Sequence, residues 1–100
     1  MRIEFKNKKL KDLCVQGKNV QKLPPEVVKR LKKVMSLLLA IQDEKDLYNF
    51  KGLRFKKLKG ERGNQGQYSI RLNIQWRLIL TIETDSGGNF LLLIDIKDYH

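Results

Sequence analysis

The chain has 100 residues, 41% hydrophobic and 32% charged, which is enough for one modest core and predicts a single domain spanning 1–100. No apolar run reaches the roughly 18 residues of a membrane span. Twenty-one Lys and Arg against eleven Asp and Glu leave a formal net charge of +10, so the natural partner is a polyanion: a nucleic acid, an acidic protein or an anionic membrane surface.

The first ten residues, MRIEFKNKKL, carry positive charge with no apolar stretch behind it, which argues against a secretion signal. Residues 2–6 alternate polar and apolar, so Ile3 and Phe5 can face a core from a strand. Leu10, Leu13 and Cys14 then fall on one helical stripe, and Gly17 suits a left-handed helix end. Cys14 is the only cysteine, which rules out an internal disulfide and fits a reducing cytoplasm; its spacing predicts a small core residue. Pro24-Pro25 open the next helix, since a proline in the first turn loses no needed hydrogen bond. Its apolar positions are Val27, Val28, Leu31, Val34, Met35, Leu38 and Ile41, with Lys29, Lys32 and Lys33 on the opposite face.

From about residue 53 the period changes to two. LRFKKL, QYSIRL, WRLILTIE and FLLLIDIK read as four strands, with Asp85 to Asn89 as a hairpin turn between the last two. One strand, two helices and then a run of strands predict an α+β domain, a mainly antiparallel sheet packed on a helix pair.

Three segments carry possible chemistry. If Asn73, Ile74 and Gln75 form a hairpin loop, Leu72, Ile70 and Tyr68 lie opposite Trp76, Leu78 and Leu80 on a core face. The same register sets Arg71 opposite Arg77 on the other face, and like charges facing each other destabilise a strand pair. A bound anion would compensate; so would a nearby carboxylate, or splaying into water. Upstream, Lys51, Arg54, Lys56, Lys57, Lys59 and Arg62 meet only Glu61 in opposition, and Gly60, Gly63 and Gly66 bracket the end of the run. This reads as a groove that tracks a phosphate backbone, with glycines giving phosphate room to approach, or as a basic edge strand that discourages aggregation. The chain stops at Asp98-Tyr99-His100, with the only histidine beside the α-carboxylate, whose charge favours imidazolium. Such a histidine can move a proton in phosphodiester cleavage, and Tyr99 can stack on a base; three terminal residues can equally be a frayed tail.

Taken together, LKGERGNQGQYSIRLNIQWRLILTI and the terminal DYH resemble the HigB-type plasmid-maintenance killer proteins of the RelE superfamily. In those proteins an LKG-D/E-R segment precedes a Tyr/Trp-Ser-Ile strand, then Trp-Arg, and the chain ends in Asp-Tyr-His. The resemblance covers almost the whole chain and implies a RelE-like fold. It also implies a ribosome-dependent messenger-RNA endoribonuclease, without metal or cofactor, neutralised by a helix-turn-helix antitoxin. The reaction would be attack of a ribose 2′-hydroxyl on the adjacent phosphate, leaving a 2′,3′-cyclic phosphate.

By position, the resemblance makes Asp98, Tyr99 and His100 the functional terminus, Arg77 the active-site arginine, and Lys59 the phosphate-binding LKG lysine. Members of the family often carry histidine three positions before that lysine; here the residue is Lys56. Lys56 would then stabilise the phosphorane charge, leaving His100 as the main acid/base candidate. Lys51, Arg54, Lys57, Arg62 and Arg71 complete the expected RNA surface. Two other readings are a ribosome- or RNA-binding module that does not cleave, and a module that docks an acidic protein.

Overall fold

The computed structural model describes residues 1–98; Tyr99 and His100 lie outside the described residues. Strand β1 (Arg2–Phe5) leads into helices α1 (Lys8–Gln16) and α2 (Pro25–Ala40). A short helix α3 (Glu44–Asn49) and a 3-10 turn (Lys51–Leu53) precede strand β2 (Lys56–Lys57) and the one-turn helix α4 (Glu61–Asn64). Strands β3 (Gln67–Arg71), β4 (Trp76–Asp85) and β5 (Gly88–Asp98) follow as an antiparallel meander. The sheet order is β1-β5-β4-β3-β2, with β1 parallel to β5. The α+β architecture is therefore the expected one.

Local chemistry accounts for the helix ends. Asn7 caps α1 by accepting from the Leu10 amide at 2.9 Å, and Gly17 closes it in the left-handed region at φ 72°, its amide donating to the Leu13 carbonyl. Pro25 starts α2, whose buried stripe is Val27, Leu31, Val34, Met35 and Leu38. Cys14 is buried as a core residue, and its desolvated thiol is pushed up to about 12. The helical layer covers one sheet face, where Ile70, Leu72, Leu78, Leu80, Leu91 and Leu93 form the core. At the far edge, the Arg2–Asp85 ion pair and the Arg2 guanidinium, 4.4 Å from the centre of the Phe90 ring, fasten β1. The Arg2 hydrogen bond also holds the Asp85 carboxyl below the usual range.

The expected strand over residues 53–58 is corrected: only Lys56 and Lys57 pair as a strand. Leu53 ends a 3-10 turn, and Arg54 follows in the left-handed region at φ 47°, which an extended chain cannot include. Leu53 and Phe55, both buried, have the two-residue spacing of a strand, which Leu58, three residues further on, already breaks. Helix α3 was not foreseen, although Asp43 is a strong cap, accepting from the amides of Lys45 and Asp46.

Strand β5 holds the irregularity that matters most. Ile79 pairs with Asp95 and Leu80 with Leu93, so Ile94 is the extra residue of a β-bulge. The bulge shifts parity: Leu91, Leu93 and Ile96 all face the helices, while Asp95 and Lys97 turn to the outer face.

Candidate nucleic-acid interface

The hairpin between β3 and β4 has the register expected from sequence. Tyr68 pairs with Leu80, Ile70 with Leu78, and Arg71 with Arg77, while the Leu72 amide donates to the Trp76 carbonyl at 3.0 Å. Asn73 fixes the loop, its side-chain oxygen accepting from the amides of Gln75 (2.8 Å) and Trp76 (2.7 Å). The Asn73 carbonyl then accepts from Arg77 Nη1 at 3.0 Å, which orients the guanidinium.

Next to this pair, Lys56 on β2 lies opposite Ser69 and so projects to the same outer face. The left-handed turn at Arg54 brings that residue round to join them. It is held from behind, since Arg30 of α2 donates to the Gly52 carbonyl at 2.7 Å. Phe55 is clamped by aromatic neighbours, stacked on Tyr68 and edge-on to Tyr48, each with ring centres 4.9 Å apart. The result is a concavity of about 310 Å³ lined by Arg54, Phe55, Lys56, Arg71 and Arg77. Among the described residues four cations and no carboxylate line it, so their field favours a phosphate over any neutral group.

The other expected residues divide. Arg62 belongs to a second depression on the same face. Lys57 pairs with Tyr68 and so has the opposite parity from Lys56, while Lys51 in the 3-10 turn and Lys59 in the β2–α4 loop are exposed and line neither hollow. Asp98 pairs with Trp76, on the parity of the core face, and accepts from Gln75 Nε2 at 2.9 Å; it does not line the cationic concavity. Tyr99 and His100 lie outside the described residues. The glycines also need correcting. Gly60 and Gly66 supply positive φ, but Gly63 is buried against the Leu58 carbonyl and offers no opening to phosphate.

A family model for the RelE-like toxin of the type II toxin-antitoxin system HigB matches residues 3–97. The chain belongs to this HigB toxin family. Over 79 residues it is 37% identical to Toxin HigB-1 of Vibrio cholerae, covering 79% of this chain and 81% of that protein. Its fold is similar to that of the YoeB/ParE toxin from Agrobacterium tumefaciens, at a TM-score of 0.58 and 14% identity over all of both chains. It is also similar to the YoeB dimer from Staphylococcus aureus, at 0.53 and 20%, and to the YoeB-YefM complex from the same organism, at 0.50 and 22%; each covers 100% of this chain and 97% of the other. At such identities these structures speak for the fold alone.

Sequence reasoning passed over one member of this HigB-family surface. Lys97 sits directly opposite Arg77, so Arg71, Arg77 and Lys97 form a cationic row across β3, β4 and β5. Strict alternation along FLLLIDIK would have put Lys97 on the face of Leu91 and Leu93; only the bulge turns it outward. The Tyr48–Phe55–Tyr68 clamp was also missed, because its three rings come from separate elements. Among the described residues, no helix is long and apolar enough to cross a membrane, and no group of three or more His, Cys, Asp and Glu stands together as a metal site.

Proposed function

We propose that this toxin is a ribosome-dependent endoribonuclease that cuts messenger RNA by attack of a ribose 2′-hydroxyl on the adjacent phosphate. The observation that carries the reading is the concavity onto which Arg54, Lys56, Arg71 and Arg77 converge. A phosphodiester seated there acquires negative charge on its non-bridging oxygens as the 2′-oxygen attacks. Fixed guanidinium and ammonium groups stabilise that charge more strongly in the transition state than in the ground state. Arg77, tethered to the Asn73 carbonyl, is the best oriented of them and takes the phosphorane. Lys56 adds charge where relatives often have histidine.

The proton transfers fall, in this proposal, to the terminal Tyr99 and His100, with His100 as acid and base and Asp98 beside them. Such a mechanism asks for no metal and no cofactor, because the chain supplies acid, base and positive charge. Lys59, Lys57, Lys51 and Arg62 would make outer contacts with ribosome or message. Membership in a type II toxin family supports a protein antitoxin as partner, as does the Staphylococcus aureus structure that holds a YoeB with a YefM. A helix-turn-helix antitoxin and action in the cytoplasm complete the proposal.

The test is primer extension on a message translated in vitro, with and without the purified chain. Discrete cuts within the translated region that vanish when ribosomes are withheld support the reading. An uncut message with the protein bound to ribosomes replaces it with a translation inhibitor that does not cleave.

A further inference from the structure

Beside the cationic concavity, on the same outer face, lies a second hollow of about 370 Å³ whose chemistry is different. Its cations, Arg62 and Lys97, are matched by two carboxylates, Glu61 and Asp95. Its remaining polar groups are the amides of Gln65 and Gln67, and Ile79 and Ile94 supply apolar surface. Charges that cancel, two amides and two aliphatic side chains suit a flat, neutral, polar group rather than a phosphate.

Three buried side-chain atoms in and next to this hollow have no hydrogen-bond partner among the described residues: Gln67 Oε1, Ser69 Oγ and Thr81 Oγ1. Gln67 lines the hollow and pairs with Thr81, and Ser69 pairs with the lining residue Ile79. Ser69 is fully buried and Thr81 is 7% exposed, so an ordinary sheet would satisfy or replace these groups. The Gln67 amide is already positioned, its Nε2 donating to Gln65 Oε1 at 3.3 Å. Asp95 is positioned too, because its Oδ1 accepts from the Ile96 amide at 2.8 Å.

We propose that this hollow holds one nucleobase of the strand whose phosphate sits at Arg71 and Arg77, and that it prefers guanine. The proposal rests on the RNA-binding reading above and gives the adjoining surface its role. Ile79 lies two residues beyond Arg77 on β4, about 7 Å along the strand, and Lys97, which lines this hollow, is the cross-strand partner of Arg77, which lines the other. That is the scale of a single nucleotide. Carboxylates only accept hydrogen bonds, so Asp95 and Glu61 select bases whose edge donates. Guanine offers N1–H and the N2 amino group side by side, a bidentate match to one carboxylate. Cytosine and adenine offer a single amino group there, and uracil a single N3–H flanked by two acceptors. The bulge at Ile94 is what makes the pocket, since it turns Asp95 outward.

The experiment is a two-dimensional NMR titration of the ¹⁵N-labelled full chain with inorganic phosphate and with each of the four nucleoside 5′-monophosphates, to roughly millimolar concentrations. Phosphate is expected to perturb amides at Lys56, Arg71 and Arg77. Guanosine monophosphate is expected to perturb these and also Gln65, Gln67 and Asp95, and to bind more tightly than the uridine compound. Asp95→Asn should lower guanosine monophosphate affinity about tenfold without weakening phosphate. Equal affinities for the four nucleotides, no guanosine-specific shifts at Gln65, Gln67 and Asp95, or an unchanged guanine preference in Asp95→Asn would each overturn the proposal. Neither ribosomes nor cleavage enter this assay. A chain that binds guanine here but never cuts a message would refute the nuclease and leave the base pocket standing; the reverse result would do the opposite.

Discussion

Arg71 and Arg77 face each other directly across β3 and β4, with Arg77 tied through Nη1 to the Asn73 carbonyl. Two guanidinium groups on one cross-strand pair weaken the pairing, by about 0.2–1 kcal/mol relative to neutral partners. Arg71→Gln removes that repulsion. It is therefore expected to keep or slightly raise the melting temperature while lowering RNA cleavage at least tenfold. Arg77→Ala should lower cleavage further, about 10²–10³-fold, as for a lost transition-state donor, with the circular dichroism spectrum preserved. Unfolding of Arg77→Ala would show that its role is structural.

Arg54 allows charge and fold to be separated. Its left-handed backbone is one that glycine adopts without strain, so Arg54→Gly relieves the chain while deleting a phosphate contact. Stability should hold within about 1 kcal/mol. If all four cations touch phosphate, log affinity for single-stranded RNA should fall against log salt with a slope of about −3. Arg54→Gly should flatten it by about 0.7, and Lys57→Ala, on the opposite face of β2, should leave it nearly unchanged.

Truncation after Asp98 tests the terminal residues. Every helix and strand of the described fold lies within residues 2–98, so the shortened chain should melt cooperatively. Cleavage should drop about 10²-fold or more if His100 carries the proton transfers. Retained cleavage, measured on translated message, would move the acid/base role elsewhere.

Gly63 is a packing requirement. A Cβ there would stand 1.9 Å from the Leu58 carbonyl oxygen, a backbone atom that cannot rotate aside. Gly63→Ala should therefore cost about 2–3 kcal/mol in urea unfolding. An unchanged midpoint would mean that the α4 turn is not packed on Leu58 in solution.

Cys14 gives a pH-dependent prediction. Burial raises its thiol from 9.0 to about 12, so the folded chain keeps a proton that the unfolded chain releases. The thiol's contribution is whole below pH 9 and is lost as pH climbs from 9 toward 12. Cys14→Ala should show a shallower fall of stability across that window than the parent chain. In the native chain at pH 8, Cys14 should resist thiol reagents and react only after denaturant is added.

The sequence by itself determined α1, α2, the meander and, once Asn73 to Gln75 are taken as the loop, the hairpin register, because each rests on local signals. Pro25 and Gly17 mark helix ends, and the period-two run from Tyr68 to Leu80, closed by a loop at Asn73 to Gln75, sets Ile70 opposite Leu78 and Tyr68 opposite Leu80 on the buried face. It also showed the Arg71–Arg77 pair, which follows from that register alone. Only the tertiary structure decided which of the many cations act together. The left-handed turn at Arg54 and the strand pairing of Lys56 bring two basic residues into the concavity and leave Lys51, Lys57 and Lys59 out of it. The bulge at Ile94 turned Lys97 and Asp95 to the same outer face, one unpaired residue reversing the face of those that follow it. Periodicity counts residues along a chain, and a bulge or a positive φ changes the count at a place fixed by packing against other strands.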